Sequence, residues 1–180
     1  MSAPTATLNS AVPVPVTADG DLDSGGLQPL YRYLAAGGVD GAFTAGTTGE
    51  FTALDDDERE TVLTEAPEVF GPDRVYAHVG AASARQATRL SVRAVALGAR
   101  NLAAITPFSL PAGPEALVDC YRELDAVAGG ARRFVYLYAA RTTTTVTPVQ
   151  LAEIPSVAGA KISASPAQLD TLRTAIEELT

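Results

Sequence analysis

One lysine stands out among the side chains of this 180-residue sequence that could carry out chemistry. Lysine and arginine together number 13, and every one except Lys161 is an arginine. Lys161 lies in the apolar segment Val157–Ile162. A lysine attacks a ketone only as the free amine, the form that burial among apolar groups favours. The sequence therefore predicts a Schiff-base nucleophile; the alternative is a strand-end lysine with a buried stem and a hydrated head.

Two tyrosines and an arginine form the second group of candidates. Tyr136 and Tyr138 lie two residues apart in a predicted strand, which places both side chains on one face. A tyrosine there can relay protons, and Arg141 in the following loop can bind a carboxylate through two parallel hydrogen bonds. The alternative is two core tyrosines and a solvated arginine. The polar run Thr142–Thr145 could border a ligand.

The loop Gly46–Glu50 follows the second predicted strand. Its glycines permit a tight turn and close approach of a ligand, while Thr47 and Thr48 offer backbone and hydroxyl donors to a carboxylate. Glu50 is predicted to be a buried anchor of the loop. The alternative is an ordinary turn that uses glycine and threonine for their conformational freedom.

No metal or organic cofactor is expected from the remaining polar residues. His78, the only histidine, falls inside a predicted strand and is interpreted as a structural, hydrogen-bonded residue. The acidic run Asp55–Glu58 has the composition of a solvated helix start. The sequence has no Cys/His cluster with metal spacing, no phosphate-binding loop and no Ser/His nucleophile motif.

Six short apolar runs that alternate with helical stretches must position these residues. The predicted strands are Ala11–Thr17, Gly41–Gly46, Arg74–Gly80, Asn101–Pro107, Phe134–Tyr138 and Gly159–Ser163. Residues that start, stop or kink helices punctuate the stretches between them, namely Gly37-Gly38, Asp55, Pro67, Ser83, Gly98, Pro114, Pro148 and Ser165-Pro166. Strict βα alternation predicts an α/β fold with a parallel sheet and right-handed crossovers.

Two parallel folds fit that alternation, an open doubly wound sheet and a (β/α)8 TIM barrel. No glycine-rich dinucleotide fingerprint follows the first strand, which favours the barrel. A barrel has eight units over about 250 residues, and catalytic groups come from the carboxyl ends of its strands. Only six units are present, so the sequence predicts an incomplete barrel: a fragment, an unusual fold, or one closed by a partner chain.

Composition limits the partners and the location. The net charge is −8 and the pI is about 4.6, which argues against nucleic acid or an anionic membrane surface as a partner. The first residues, Met1–Ser10, are predicted to be a flexible lead, followed by one partial domain over residues 11–180. Cys120 is the only cysteine and cannot form an internal disulfide, so a cytoplasmic location is expected.

Taken in order, five segments resemble the dihydrodipicolinate synthase / N-acetylneuraminate lyase family of Schiff-base aldolases. They are Val16–Asp23, Gly41–Phe51, Val79–Ser83, Thr106–Phe108 and Ile154–Lys161. The Gly41–Phe51 string is the most diagnostic, and the last segment ends on the single lysine. The resemblance runs from about Ala11 to the end of the chain and implies a TIM-barrel lyase that needs no cofactor.

The resemblance also implies a role for each candidate. Lys161 would form the imine with pyruvate or another 2-oxo acid, Thr47 and Thr48 would hold its carboxylate, and Thr48 would join the proton relay. The relay tyrosine is Tyr136 if it is counted five residues back from Arg141, and Tyr138 if it is matched by the end of the strand. The protein would be a homo-oligomer, a dimer or a tetramer.

Some positions depart from the family pattern. Leu137 (or Ala139) stands where asparagine is usual, Thr143 where glycine is usual, and Ser109 where a dihydrodipicolinate synthase has a second aromatic residue. These departures motivate an alternative, a catalytically inactive homologue that binds a 2-oxo acid or serves as an interaction scaffold. A third alternative is an incomplete product without a stable fold.

Overall fold

A computed structural model describes residues 6–177, with side chains described up to residue 174. The start of the predicted Met1–Ser10 lead, before residue 6, lies outside the described residues. The chain divides into two compact units, Met1–His78 with Arg93–Asn101, and Val79–Val92 with Leu102–Thr180. The prediction of one domain over residues 11–180 stays a prediction.

Three parallel strands form the sheet of the first unit. Its elements are β1 (Asn9–Ala11), α1 (Ser24–Ala36), β2 (Gly41–Thr44), α2 (Asp56–Glu65), α3 (Pro67–Phe70), a 3-10 turn (Pro72–Arg74) and β3 (Val75–His78). Ser10 pairs with Ala42, and Ala42 pairs with Val75, so β2 lies between β1 and β3. All four residues of β2 are buried, as expected for a central parallel strand.

The first strand differs from its prediction. The sequence predicted Ala11–Thr17, whereas β1 covers Asn9–Ala11. Pro13 and Pro15 lack the N–H group that a paired strand donates, which ends the ladder before them. The predicted lead to Ser10 was therefore drawn too long, because Asn9 and Ser10 pair with β2 and the Leu8 N–H donates to Asp40 Oδ2 at 2.8 Å.

The second unit contains the strands that carry most of the candidate residues. Its elements are α4 (Ala84–Ala96), β4 (Asn101–Ile105), α5 (Pro114–Val127), β5 (Arg132–Leu137), α6 (Pro148–Glu153), β6 (Val157–Ile162) and α7 (Pro166–Glu177). Of these, α4 belongs to this unit only up to Val92, and β4 only from Leu102. The strands β5 and β6 are parallel, with a shift in register between Arg133 and Phe134. After that shift Tyr136 pairs with Lys161.

Helix starts follow the predicted signals closely. Asp55 caps α2 in a capping box with Glu58, and Ser83 Oγ accepts from the Gln86 N–H at 3.3 Å at the start of α4. Proline occupies the first position of α5, α6 and α7, where a missing N–H costs nothing. Pro67 is the first residue of α3, and Ala66 alone lies between α2 and α3. The alternation of six strands with helices is confirmed among the described residues.

Each unit has its own buried core with an aromatic hydroxyl bonded to the backbone. In the first, Tyr31 is fully buried and donates to the Val62 carbonyl at 2.9 Å. In the second, Tyr121 donates to the Ala104 carbonyl at 2.7 Å. Burial raises the pKa of both phenols, with the Glu65 carboxylate a second cause at Tyr31 and Cys120 a second cause at Tyr121.

Candidate active site

Lys161 lies at the carboxyl end of β6, as the sequence predicted. This strand belongs to the second unit. Lys161 is the penultimate residue of the strand and is half-buried. Its strand neighbours Ala158 and Ala160 are exposed, so β6 is less enclosed than its apolar sequence suggested. The Lys161 side chain is therefore only partly covered at the end of the strand.

Tyr136 forms the surface on which the Lys161 amine rests. The lysine Nζ lies 3.6 Å from the centroid of the Tyr136 ring, and this tyrosine is 1% exposed. A protonated amine over an aromatic face is attracted by the negative charge of the ring face.

Ser163 is a site residue that the sequence analysis did not single out. Lys161 Nζ donates to its Oγ at 3.2 Å, and its N–H donates to the Leu137 carbonyl at 2.8 Å. Its position two residues after the lysine places both on the same side of an extended chain, a spacing that could have identified it. Ser163 therefore anchors the amine that Tyr136 supports.

Tyr138 and Arg141 follow the end of β5. The rings of Tyr136 and Tyr138 lie 6.1 Å apart, as expected for side chains on one face. Arg141 is exposed, and its N–H donates to the Tyr138 carbonyl at 2.8 Å. The structure thus brings Tyr136, Tyr138 and Lys161 together, and places Arg141 in the turn that follows them.

The polar run Thr142–Thr145 is tied to the segment after β4. Thr142 Oγ1 lies 3.3 Å from Thr106 Oγ1, and Thr144 Oγ1 accepts from the Ala112 N–H at 3.1 Å. Thr144 is buried, which few loop threonines are. These contacts give the loop a defined shape beside the carboxyl end of β5.

A cavity of about 250 Å³ opens at the carboxyl ends of β5 and β6, within the second unit. Leu137, Ile162 and Leu172 give it apolar walls, and Tyr138 and Ser163 also line it. Successive strand residues project to opposite faces, so Leu137 and Ile162 face away from the Tyr136–Lys161 contact. Ser163 is thus common to the cavity wall and to the surroundings of the lysine.

Thr47 and Thr48 lie in the first unit, in the loop after β2. Thr47 is half-buried and Thr48 is exposed. The loop is compact, because the Phe51 N–H donates to the Gly46 carbonyl and the Glu50 N–H to the Thr47 carbonyl, both at 3.2 Å. The predicted role of Glu50 as a buried anchor is wrong, since this residue is exposed and has a positive φ of 50°.

The described residues contain no group of three or more His, Cys, Asp or Glu side chains that could hold a metal ion. None of the helices described is long and apolar enough to cross a membrane. His78 is buried and hydrogen bonded, in agreement with its structural interpretation.

Comparison with known sequences gives one consistent result. The model of the dihydrodipicolinate synthetase family matches residues 5–178. An uncharacterized DapA-like lyase of Halobacterium salinarum is 37% identical over 163 residues, which cover 87% of this chain and 53% of that protein. The 4-hydroxy-tetrahydrodipicolinate synthase of Acidothermus cellulolyticus is 35% identical over 164 residues, 88% of this chain and 53% of its own. The chain spans about half the length of these relatives.

Solved structures give the same fold. The Ruminococcus gnavus sialic acid aldolase has a TM-score of 0.83 at 23% identity, covering 94% of this chain and 57% of its own. The Acinetobacter baumannii dihydrodipicolinate synthase, complexed with pyruvate, has a TM-score of 0.82 at 27% identity, covering 93% and 60%. The predicted α/β, (β/α)8 TIM-barrel fold class, with six βα units among the described residues, is confirmed.

Proposed function

Because the chain belongs to the dihydrodipicolinate synthetase family, we propose that it is a Schiff-base lyase or aldolase that acts on pyruvate or another 2-oxo acid. The family and its named relatives are lyases, as the sequence predicted. The reaction and the substrate of this chain are our proposal. The observation that carries the proposal is the placement of Lys161, whose amine lies on the buried ring of Tyr136 and donates to Ser163.

In the proposed reaction Lys161 Nζ adds to the ketone carbon of the 2-oxo acid, and loss of water gives an imine. The imine withdraws electrons from the neighbouring carbon, which then loses a proton or a carbon substituent to give an enamine. Ser163 supports this role because its hydrogen bond holds the amine in one place at the strand end. The sialic acid aldolase of Ruminococcus gnavus was also solved as a catalytic lysine mutant, so that protein has a catalytic lysine. Lys161 is therefore the residue to test in this chain.

Proton transfer is assigned to Tyr136 and Thr48, with Tyr138 as the alternative tyrosine. The contact of Tyr136 with the lysine supports Tyr136, and the place of Tyr138 in the cavity wall supports Tyr138. Thr47 and Thr48 are proposed to hold the substrate carboxylate, and Arg141 and Tyr138 to contribute to substrate binding. For the threonines and Arg141 this assignment rests on the resemblance of the loops that carry them.

Borohydride trapping tests the proposal. Incubation with pyruvate and borohydride is expected to add one pyruvate-derived group to Lys161, because hydride reduces the imine to a stable secondary amine. The matched control is Lys161→Arg, which keeps a long basic side chain at this position and cannot form an imine. Absence of an adduct across a panel of 2-oxo acids would refute the proposal.

The alternative of an inactive homologue has its own outcome in the same set of measurements. Pyruvate binding with unchanged affinity in Lys161→Ala, measured by calorimetry and accompanied by no turnover in the native chain, would favour a binding protein or scaffold. A homo-oligomeric state and a cytoplasmic location stay predictions. Light scattering on the purified chain measures the first.

A further inference from the structure

The loop that carries Thr47 and Thr48 contains two residues in an unfavourable backbone conformation. Ala45 has a φ of 47° and Glu50 a φ of 50°, both in the left-handed region that residues with a Cβ rarely occupy. Such conformations persist only where the surrounding structure imposes them. The contacts around Ala45 show which residues impose its positive φ.

His78 holds the carbonyl of Ala45. Its Nδ1 lies 2.8 Å from the Ala45 oxygen, and a carbonyl only accepts, so Nδ1 carries the hydrogen and donates it. His78 is 4% exposed and is the last residue of β3. The contact therefore ties the end of one strand to the loop that follows its neighbour β2.

Arg59 in turn fixes His78. Its Nη2 donates to the His78 carbonyl at 2.6 Å, and the arginine is 6% exposed. Burial lowers the pKa of Arg59 to about 10, while the carboxylate of Asp56 opposes that shift. The guanidinium is thus charged at neutral pH, and a hydrogen bond from a charged donor is stronger than a neutral one.

Aromatic rings enclose this His78–Arg59 pair. The His78 ring lies edge-on to Phe51 with centroids 4.6 Å apart, and 5.8 Å from Phe43. The Arg59 guanidinium carbon lies 5.5 Å from the centroid of Phe51. Phe43 also packs against Gly46, the residue after Ala45, because a Cβ on Gly46 would lie 2.6 Å from the Phe43 Cε1 atom. The imidazole therefore has little freedom to turn away from Ala45.

From these contacts we propose that His78, held by Arg59, is a positioning residue that sets the orientation of the Thr47–Thr48 loop through the Ala45 carbonyl. This inference rests on the proposed function, in which those threonines hold the substrate carboxylate. Without the His78 donor, Ala45 can return to a common φ value, and the rotation passes along the chain to Gly46 and the threonines. Carboxylate recognition weakens, while the amine of Lys161 keeps its reactivity.

Three substitutions of His78 and one control variant separate positioning from stability. His78→Phe keeps an aromatic ring and removes the donor. His78→Asn places an amide donor near the position of Nδ1 and is the rescue variant, whereas His78→Gln places it near Nε2. Tyr31→Phe is the matched control, because it also removes one buried ring donor to a backbone carbonyl in the same unit, away from the loop.

The measurement is the pyruvate concentration that gives half-maximal borohydride trapping on Lys161, with methyl pyruvate as the uncharged comparison. In His78→Phe that concentration is expected to rise about tenfold, the effect of about 1.4 kcal/mol, with no change for methyl pyruvate. His78→Asn should lie within about twofold of the native protein, and His78→Gln should resemble His78→Phe. Tyr31→Phe should lower the melting temperature without changing either concentration.

Each outcome decides the inference separately from the proposed function. No adduct in the native protein refutes the proposed function itself. An adduct in the native protein with the same half-maximal pyruvate concentration in His78→Phe overturns the positioning role, as does an equal loss with methyl pyruvate. If His78→Phe does not fold, the comparison of His78→Asn with His78→Gln decides, and failure of all three to fold assigns His78 to the core alone.

Discussion

Replacing Tyr136 by phenylalanine separates proton transfer from every other contribution of this residue. The substitution keeps the ring on which Lys161 Nζ rests at 3.6 Å and removes only the hydroxyl. Tyr136 is 1% exposed, so removing its hydroxyl can leave a buried partner unpaired, at a cost of about 1–3 kcal/mol. For a chain of this length, each kcal/mol of lost stability lowers the melting temperature by roughly 2–4 °C. The variant should therefore stay folded at 25 °C.

The expected loss of proton transfer affects the reaction rate, whereas the structural cost affects the melting temperature. A positioned acid or base contributes about 10²–10⁴-fold to a reaction rate. The assay is exchange of the pyruvate methyl protons in heavy water, followed by proton NMR, because each enamine that forms can take up a deuteron. Tyr136→Phe should slow this exchange by at least about a hundredfold, while borohydride still traps the imine on Lys161.

The comparison with Tyr138→Phe assigns the relay. Normal exchange in Tyr136→Phe together with its loss in Tyr138→Phe would refute the choice of Tyr136 and make Tyr138 the relay. Normal exchange in both variants would refute a tyrosine relay altogether. Loss of both exchange and trapping in Tyr136→Phe would mean that the hydroxyl is needed before the imine forms.

Two further predictions concern the units that carry the site. A Cβ on Gly41 would lie 2.3 Å from the Arg74 carbonyl oxygen and from Asn9 Oδ1, so Gly41→Ala should lower the free energy of unfolding by roughly 2–3 kcal/mol in urea. Gly113→Ala, with no atom within 4 Å of the new Cβ, is its control, and equal stability of the two would contradict the packing of β2. Burial, and then the Glu123 carboxylate, raise the pKa of the Cys120 thiol. A raised thiol pKa lowers the thiolate fraction, so iodoacetamide should alkylate native Cys120 more slowly than the urea-unfolded chain at pH 8, with the difference shrinking as the pH rises. Equal rates would contradict the burial of Cys120.

Local signals in the sequence were sufficient for the helix starts and for the order of the elements. Capping residues and prolines act within one turn of the chain, so Asp55, Ser83 and Pro114 mark the starts that the structure has. The strand ends were less accurate, because pairing depends on partners that are distant in sequence. The two prolines after Val12 ended β1 early, although the run Ala11–Thr17 is apolar enough to be a strand.

The contacts of the site depended on register, which the sequence did not reveal. Tyr136 pairs with Lys161 only after the shift at Arg133 and Phe134, and an irregularity of one residue would move every later side chain to the other face. The His78–Ala45 contact was missed because it joins groups that are distant in sequence, whereas the two-residue spacing of Ser163 from Lys161 could have identified it. The prediction for Glu50 was wrong because a glutamate in a glycine-containing loop can be exposed as readily as buried. In the structure Glu50 is exposed.

The central claim, that Lys161 forms the imine, is tested most directly by mass spectrometry on one sample. Trypsin cleaves after lysine and arginine, and Lys161 is the only lysine in the chain. After pyruvate and borohydride, we predict one adduct per chain and loss of tryptic cleavage after residue 161 in proportion to the adduct. An unmodified chain, or an adduct on the N-terminal amine with cleavage after Lys161 intact, would contradict it.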